Sequence, residues 1–423
     1  MRQPERVVIL NDISAWRGGA TGVALSCARG LAERGVHVTF ITGDDASEAP
    51  LADTAVEMIP IASAHIMDGP RAAAMMRGLY NLEAARFVKD WIAQNDTPGT
   101  VYHLHGWSKI LSPSVFSALT PVLSRLVVHA HDFFLICPNG GYFDFRRDEL
   151  CTRRPMGAAC IACNCDRRSY THKLWRLARS GVRQILLTPK KIGRLLVVHP
   201  GMIPLFAHGG IAGGHVGVLR NPVAPWSGTR IPAERNRTFL FVGRLDEDKG
   251  VDLLASAARQ AGVPLRMVGA GPLGETLASA FPEVEFSGWR SRAELAELCL
   301  DARAIVMPTR SRETFGIAGL EALMSGAPLI ISSNALLAPE IEAGGFGLVC
   351  DPHDRDALAG ILKGLASDDA TVAGMSRWAY DSARTLAPTF SEWIDAIMAE
   401  YAGLADVKET NMAAEPAAGT VMG

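Results

Sequence analysis

Two carboxylates, Glu313 and Glu321, stand eight residues apart among small and apolar residues in the stretch RETFGIAGLEALMSGAP, Arg312 to Pro328. The preceding run AIVMPT reads as a buried strand ending at Thr309. SRETFG then reads as a strand-to-helix loop, and IAGLEALMSG as a helix that Gly326 stops, with Pro328 just beyond. Ligands of open parallel sheets bind outside the carboxyl ends of strands, which is where Glu313 falls. The backbone N–H groups near Phe315, Gly316 and Ile317 begin the helix, so they are unpaired donors at the positive end of a dipole and suit a phosphate. Glu321 lies about a turn further on and can face the same crevice, where a carboxylate fork matches the diol of a ribose. Glu313 can meet a second polyol on the other side of the phosphates. Taken in isolation the two glutamates read more readily as surface or capping residues, since Glu is mostly exposed; with the helix amides they outline a nucleotide-sugar site.

The segment FVGRLDEDKG adds two cations, Arg244 and Lys249, just beyond another strand. Cations there can neutralise a diphosphate leaving group as its charge develops. Between them, Asp246 to Asp248 (DED) form a metal-binding D-x-D string, which in this position reads as an ordinary polar loop. GAGPLG, Gly269 to Gly274, matches the dinucleotide fingerprint formally, but it follows the second strand of its unit rather than the first.

These residues must be positioned by alternating strands and helices. RVVILND, VHVTFITG, VYHLHG and RLVVHAHD read as strands, separated by the helices GVALSCARGLAERG and PSVFSALTPVL. The rhythm restarts after the linker Arg220–Asn236, with the strands TFLFVGRL, LRMVGAG, VEFSG and AIVMPT and the helices GVDLLASAARQAG and RAELAELCLDA. Such βαβ alternation predicts parallel sheets covered by helices on both faces. With 423 residues the chain exceeds one ordinary core, and two domains are expected. The expected boundaries are 1–227 for the first domain, with a cysteine-rich and basic insertion at about 137–194, and 228–388 for the second. A helix over 389–406, carrying Trp393, Ile394, Ile397 and Tyr401, is expected to cross back to the first domain, followed by a disordered tail over 407–423.

A net charge of −2 argues against a nucleic-acid partner. No signal-peptide pattern and no apolar run of membrane-spanning length is evident, so a cytoplasmic location is expected. Eight cysteines in a long cytosolic chain then read as free thiols rather than disulfides.

In order, GRLDEDKG, VGAGPLGETL, FSGW and SRETFGIAGLEALMSGAPLI resemble the family-4 retaining glycosyltransferases of GT-B architecture. The resemblance covers the C-terminal half throughout and most of the N-terminal half more loosely. It implies an α/β fold of two Rossmann-like domains facing across a cleft. It implies that Arg244 and Lys249 bind the donor diphosphate, Glu321 the ribose and Glu313 the transferred sugar, with the amides of Phe315, Gly316 and Ile317 alongside. ISAWRGGATGVAL resembles the family's glycine-rich loop, whose Gly18 and Gly19 would let backbone approach the donor phosphates. RLVVHAHDFF resembles the strand ending in a histidine near the reacting sugar, assigned to His131 with His129 as the competing assignment; His103 and His105 read as acceptor-side or structural. The implied catalytic set is His131, Glu313, Arg244 and Lys249. The resemblance also implies retention by front-face attack and no required cofactor, with a UDP- or GDP-type sugar as donor. One departure is NALLAPE, which puts Leu336 and Leu337 where relatives carry a Gly-Gly pair and so questions the sugar contacts of that loop.

The insertion holds Cys151, Cys160, Cys163 and Cys165, with Cys137 upstream. Four thiols could ligate a tetrahedral metal, but C-x8-C-x2-C-x-C fits no common pattern, and thiols packed in a loop are the expected state. The following segment, 167–194, is basic and amphipathic, which suits either a solvated helix face or a peripheral contact with an anionic inner-membrane surface. Its composition resembles bacterial exopolysaccharide and capsule enzymes. The expectation is therefore a retaining glycosyltransferase, a hexosyltransferase, moving sugar from a nucleotide donor to a glycan or lipid-linked glycan in cell-surface polysaccharide synthesis. A nucleotide-sugar epimerase of the same fold, or a metal-bearing binding module with a degenerate site, are the alternatives.

Overall fold

A computed structural model describes residues 3–16 and 18–412. Fifteen strands run in chain order: β1 (Arg6–Asn11), β2 (His37–Thr42), β3 (Glu57–Pro60), β4 (Thr100–Leu104), β5 (Leu126–Ala130), β6 (Phe143–Asp144), β7 (Glu149–Leu150), β8 (Arg194–Val197), β9 (Val216–Val218), β10 (Thr238–Val242), β11 (Leu265–Val268), β12 (Glu285–Gly288), β13 (Ala302–Met307), β14 (Leu329–Ser332) and β15 (Gly347–Cys350). The first sheet is parallel in the order β3-β2-β1-β4-β5-β8-β9, and the second is parallel in the order β12-β11-β10-β13-β14-β15. Their central strands are continuous buried apolar runs, as sheets covered on both faces require. Strand order reverses beside β1 in one sheet and beside β10 in the other, and crevices open at such switch points. Arg244, Lys249, Glu313 and His131 follow the carboxyl ends of strands, and Gly18, Gly19 and Phe315 to Ile317 lie at the starts of the helices after them, whereas Glu321 lies inside a helix.

Some elements differ from the sequence reading. The segment PSVFSALTPVL forms a short helix, Ser114–Ala118, then a 3-10 turn, Thr120–Arg125, because Pro121 cannot continue the α-helical ladder. The last helix spans Phe390–Met412, so the expected tail does not begin at 407. Polarity made that stretch look structureless, but helix formers such as Lys408 and Glu409 let a seated helix continue; the rest of the expected tail, 413–423, lies outside the described residues. Trp393, Ile394, Ile397 and Tyr401 of this helix are buried in one core with β1, β2 and the helix Gly19–Glu33. Among the described residues no helix is long and apolar enough to cross a membrane.

Candidate active site at the interdomain cleft

The loop after β10 is held by glycines that permit close backbone approach. Gly250 has φ +68°, and a Cβ there would lie 2.1 Å from the Pro308 carbonyl oxygen. A Cβ on Gly269 would lie 1.8 Å from the Gly243 carbonyl oxygen, and one on Gly271 2.4 Å from that of Leu245. GAGPLG therefore serves as the floor beneath the Arg244 loop, which accounts for its glycines without a dinucleotide. The same loop is tied to the end of β13: the Asp248 carbonyl accepts from Thr309 Oγ1 at 3.0 Å and from the Arg310 amide at 3.0 Å.

This tie brings Lys249 to Glu313, with Nζ 2.5 Å from Oε2 and side chains 24% and 18% exposed in the cleft. Burial pushes the Glu313 carboxyl up, but Lys249 and the Phe315 amide outweigh it and hold it below the usual range. The same contact outweighs burial at Lys249 and keeps the ammonium charged. A cation and an anion locked together beside open space can separate to meet a phosphate and a hydroxyl, respectively. Arg244 is 65% exposed and pairs with Asp246 at 2.6 Å, leaving much of its guanidinium toward solvent.

Gly316 caps the helix Ile317–Met324 with φ +73°. Its N-terminus faces that of the helix Gly19–Glu33, since a Cβ on Gly19 would lie 3.6 Å from Ile317 Cδ1. Gly18 has φ +88° and open space where a Cβ would point, so its need for glycine is conformational here and not a steric clash. Phe315 is buried, and its ring anchors the loop rather than lining the cleft.

Glu321 is brought to different partners from Glu313. Trp226 Nε1 donates to its Oε2 at 3.0 Å, and Arg292 pairs with Oε1. Burial raises its carboxyl despite both contacts. Trp226 belongs to the linker Arg220–Asn236 and was not singled out from the sequence; its amide donates to Ser325 Oγ at 2.8 Å. Leu336, the departure from Gly-Gly, donates its amide to the Glu313 carbonyl at 3.0 Å, so that loop braces the glutamate through backbone alone.

On the opposite wall His131 ends β5, and Thr314 Oγ1 donates to its carbonyl at 2.9 Å across the cleft. The motif RETFG thus reaches the first domain through a threonine that sequence reasoning passed over. His131 shares a 3.0 Å hydrogen bond with His105 and stacks on His129, while His129 stacks on His103. His103 in turn meets Tyr401 of the returning helix at 2.6 Å. Burial drives all four imidazoles toward the neutral form, His131 down to about 4. His131, His105, Asn11, Asp12, Thr21 and Lys109 line a cavity of about 130 Å³.

The insertion touches the Arg244 loop, a contact on which the sequence carried no signal. Arg167 reaches across with Nη1 2.6 Å from Asp246 and Nη2 2.7 Å from Asp248, its guanidinium 4.7 Å from the Phe145 ring centre. The DED string is therefore an interdomain anchor and not a plain polar loop. The basic stretch after it also differs from expectation. Lys173, Arg179 and Arg183 are buried, Arg176 pairs with Asp166 at 2.7 Å and Arg194 with Glu400 at 2.6 Å. Most of the charge counted for a membrane contact in 167–194 is consumed internally, because the helix turns its long cationic stems onto the domain. The candidate cysteines do not converge either: Cys163 donates to Asp144, Cys151 lies beside Arg153, and Cys160 and Cys165 face Lys173. Among the described residues, the metal-capable groupings, His105 with His129 and His131 and Cys27 with His103 and His105, use none of them.

Residues 229–381 match the family model described as "Glycosyl transferases group 1". A D-inositol 3-phosphate glycosyltransferase of Mycolicibacterium paratuberculosis is 30% identical over 226 residues, 49% of this chain and 47% of that protein. A glycogen synthase of Mycobacterium tuberculosis is 30% identical over 174 residues, 38% of this chain and 42% of that protein. The chain thus spans less than half the length of these two relatives. Among solved structures, Anabaena HepE in complex with UDP is 16% identical with a TM-score of 0.64, covering 96% of this chain and 100% of that one. WaaG, a glycosyltransferase involved in lipopolysaccharide biosynthesis, is 17% identical with a TM-score of 0.65, covering 92% and 99%. The fold is therefore GT-B, and the segment that matches the group 1 glycosyl transferases is the one carrying Arg244, Lys249, Glu313 and Glu321.

Proposed function

We propose that the protein is a glycosyltransferase that moves a sugar, a hexose, from a nucleoside diphosphate donor to a glycan or lipid-linked glycan, with retention of configuration. The observation that carries this reading is the Lys249–Glu313 pair beside Arg244 at the β10/β13 crevice, facing His131 across the cleft. Arg244 and Lys249 take the diphosphate, the amides at Phe315, Gly316 and Ile317 supplement them, and Glu321 holds the ribose. Glu313 and His131 orient the transferred sugar, while Gly18 and Gly19 leave room for phosphate from the other side. Attack from the front face, with the departing phosphate oxygen accepting the acceptor's proton, needs from the protein positioning and leaving-group stabilisation. UDP is the favoured carrier, on the support that HepE was solved with UDP. The reading includes a cytoplasmic site of action in cell-surface polysaccharide synthesis. Any membrane contact at 167–194 would rest on the exposed Tyr170, Leu174 and Ile185 together with Met75 and Met76, more than on charge.

Thermal shifts with UDP, GDP, ADP and NAD test the donor site. A nucleoside diphosphate at 100 times its dissociation constant stabilises by about 2.7 kcal/mol. Stabilisation by NAD with no response to the diphosphates would refute the proposal, as would donor hydrolysis or transfer unaffected by Glu313→Gln.

A further inference from the structure

Lys173 is fully buried, and its ammonium has no carboxylate partner among the described residues. Its neighbours are sulfur: Nζ lies 3.1 Å from Cys165 Sγ and 3.5 Å from Cys160 Sγ, both buried thiols. Sequestered lysines are ordinarily paired with acids, because an unpaired buried charge is costly. Asp166 stands next to Cys165 in the chain but is committed to Arg176.

We propose that Lys173 and Cys165 are a covalent modification site, joined by dioxygen into a reversible nitrogen–oxygen–sulfur bridge, with Cys160 as the second sulfur in reach. The Lys173 ammonium first releases a proton to solvent; the thiol S–H bond, one N–H bond of the resulting amine and the O–O bond then break. S–O and O–N bonds form, and the second oxygen leaves as water with the two displaced hydrogens. Sulfur and nitrogen each give up two electrons, and dioxygen accepts all four. Two equivalents of a dithiol, each oxidised to its disulfide, return the four electrons and four protons, restoring thiol and amine with release of water. The 3.1 Å approach leaves little movement to be made before one oxygen atom can span the pair. The consequence reaches the cleft, since Cys165 lies two residues before Arg167, whose guanidinium holds Asp246 and Asp248. A bridge would fix the turn from which Arg167 projects.

The full chain is purified in air and, separately, without oxygen in the presence of a dithiol. Both samples are denatured with free thiols alkylated, and cut after arginine, which separates Cys165 from Lys173. The expected result in the aerobic sample is a linked pair of peptides weighing their sum plus one oxygen less two hydrogens. That pair should be absent from the reduced sample and from Lys173→Arg. A Cys160–Cys165 disulfide with Lys173 in an unlinked peptide would overturn the proposal. So would fully alkylated Cys165 in the aerobic sample after exposure to peroxide. Both readouts use wild-type protein and do not depend on the variant folding.

Discussion

Replacing Arg167 with methionine removes a cation that reaches from the insertion to two carboxylates flanked by Arg244 and Lys249. Its two bonds, at 2.6 and 2.7 Å, are charge-assisted, one to each of two carboxylates only 8% and 10% exposed. Such bonds contribute about 1.5–3 kcal/mol each when shielded. The guanidinium is 38% exposed, so solvent screening reduces the sum by roughly half, to about 2 kcal/mol. With Arg167 gone, Asp246 and Asp248 retain Arg244, which already lies 2.6 Å from one and 3.7 Å from the other. Arg244 is then drawn more firmly onto the carboxylates and away from a diphosphate. The loss should appear as weaker nucleotide binding, about thirtyfold for about 2 kcal/mol. Titration calorimetry with UDP measures it directly, and Arg167→Lys, keeping charge but not the fork, should fall between. The melting temperature reports whether the variant is folded. A folded Arg167→Met that binds UDP as wild type does would refute the claim that the insertion positions the donor loop.

Four further outcomes follow from the geometry. Glu321→Ala should weaken UDP binding by roughly 1.5–3 kcal/mol, tenfold or more, whereas Glu321→Gln keeps an acceptor for Trp226 and should lose less; calorimetry distinguishes them. The four stacked histidines are buried with depressed affinity for protons, so the unfolded chain takes up protons first. Their contribution to stability should be present above pH 6.5 and lost as pH falls toward about 4, seen as a declining urea midpoint over that window. Tyr401→Phe removes the partner of the buried His103 Nδ1 and should cost about 1–3 kcal/mol in denaturant unfolding. Gly250→Ala forces a Cβ toward the Pro308 carbonyl at a positive φ, and should destabilise by more than about 1 kcal/mol and displace Lys249 from Glu313.

The strands of both domains and the crevice after β10 and β13 were legible because continuous apolar runs and glycine-bounded turns are local signals. Arg244, Lys249 and Glu313 stood out as candidates because an ionised group in a strand-to-helix loop has no packing reason to be there, and Glu321 through its spacing from Glu313 in the helix that follows. Which partners each of them meets depended on the tertiary structure. Lys249 and Glu313 lie 64 positions apart and meet only because Asp248 is bonded to the 309–311 segment, while Glu321 turns to Trp226 and Arg292 instead. Arg167 looked like one more member of a basic run, and Lys173 like part of a solvated or lipid-facing stripe. Charge can be counted in a sequence, but the partner that neutralises it is chosen by the fold. Docking of the insertion on the second domain placed one of these cations on a carboxylate pair 79 and 81 positions away, and the insertion's own fold sealed the other among thiols.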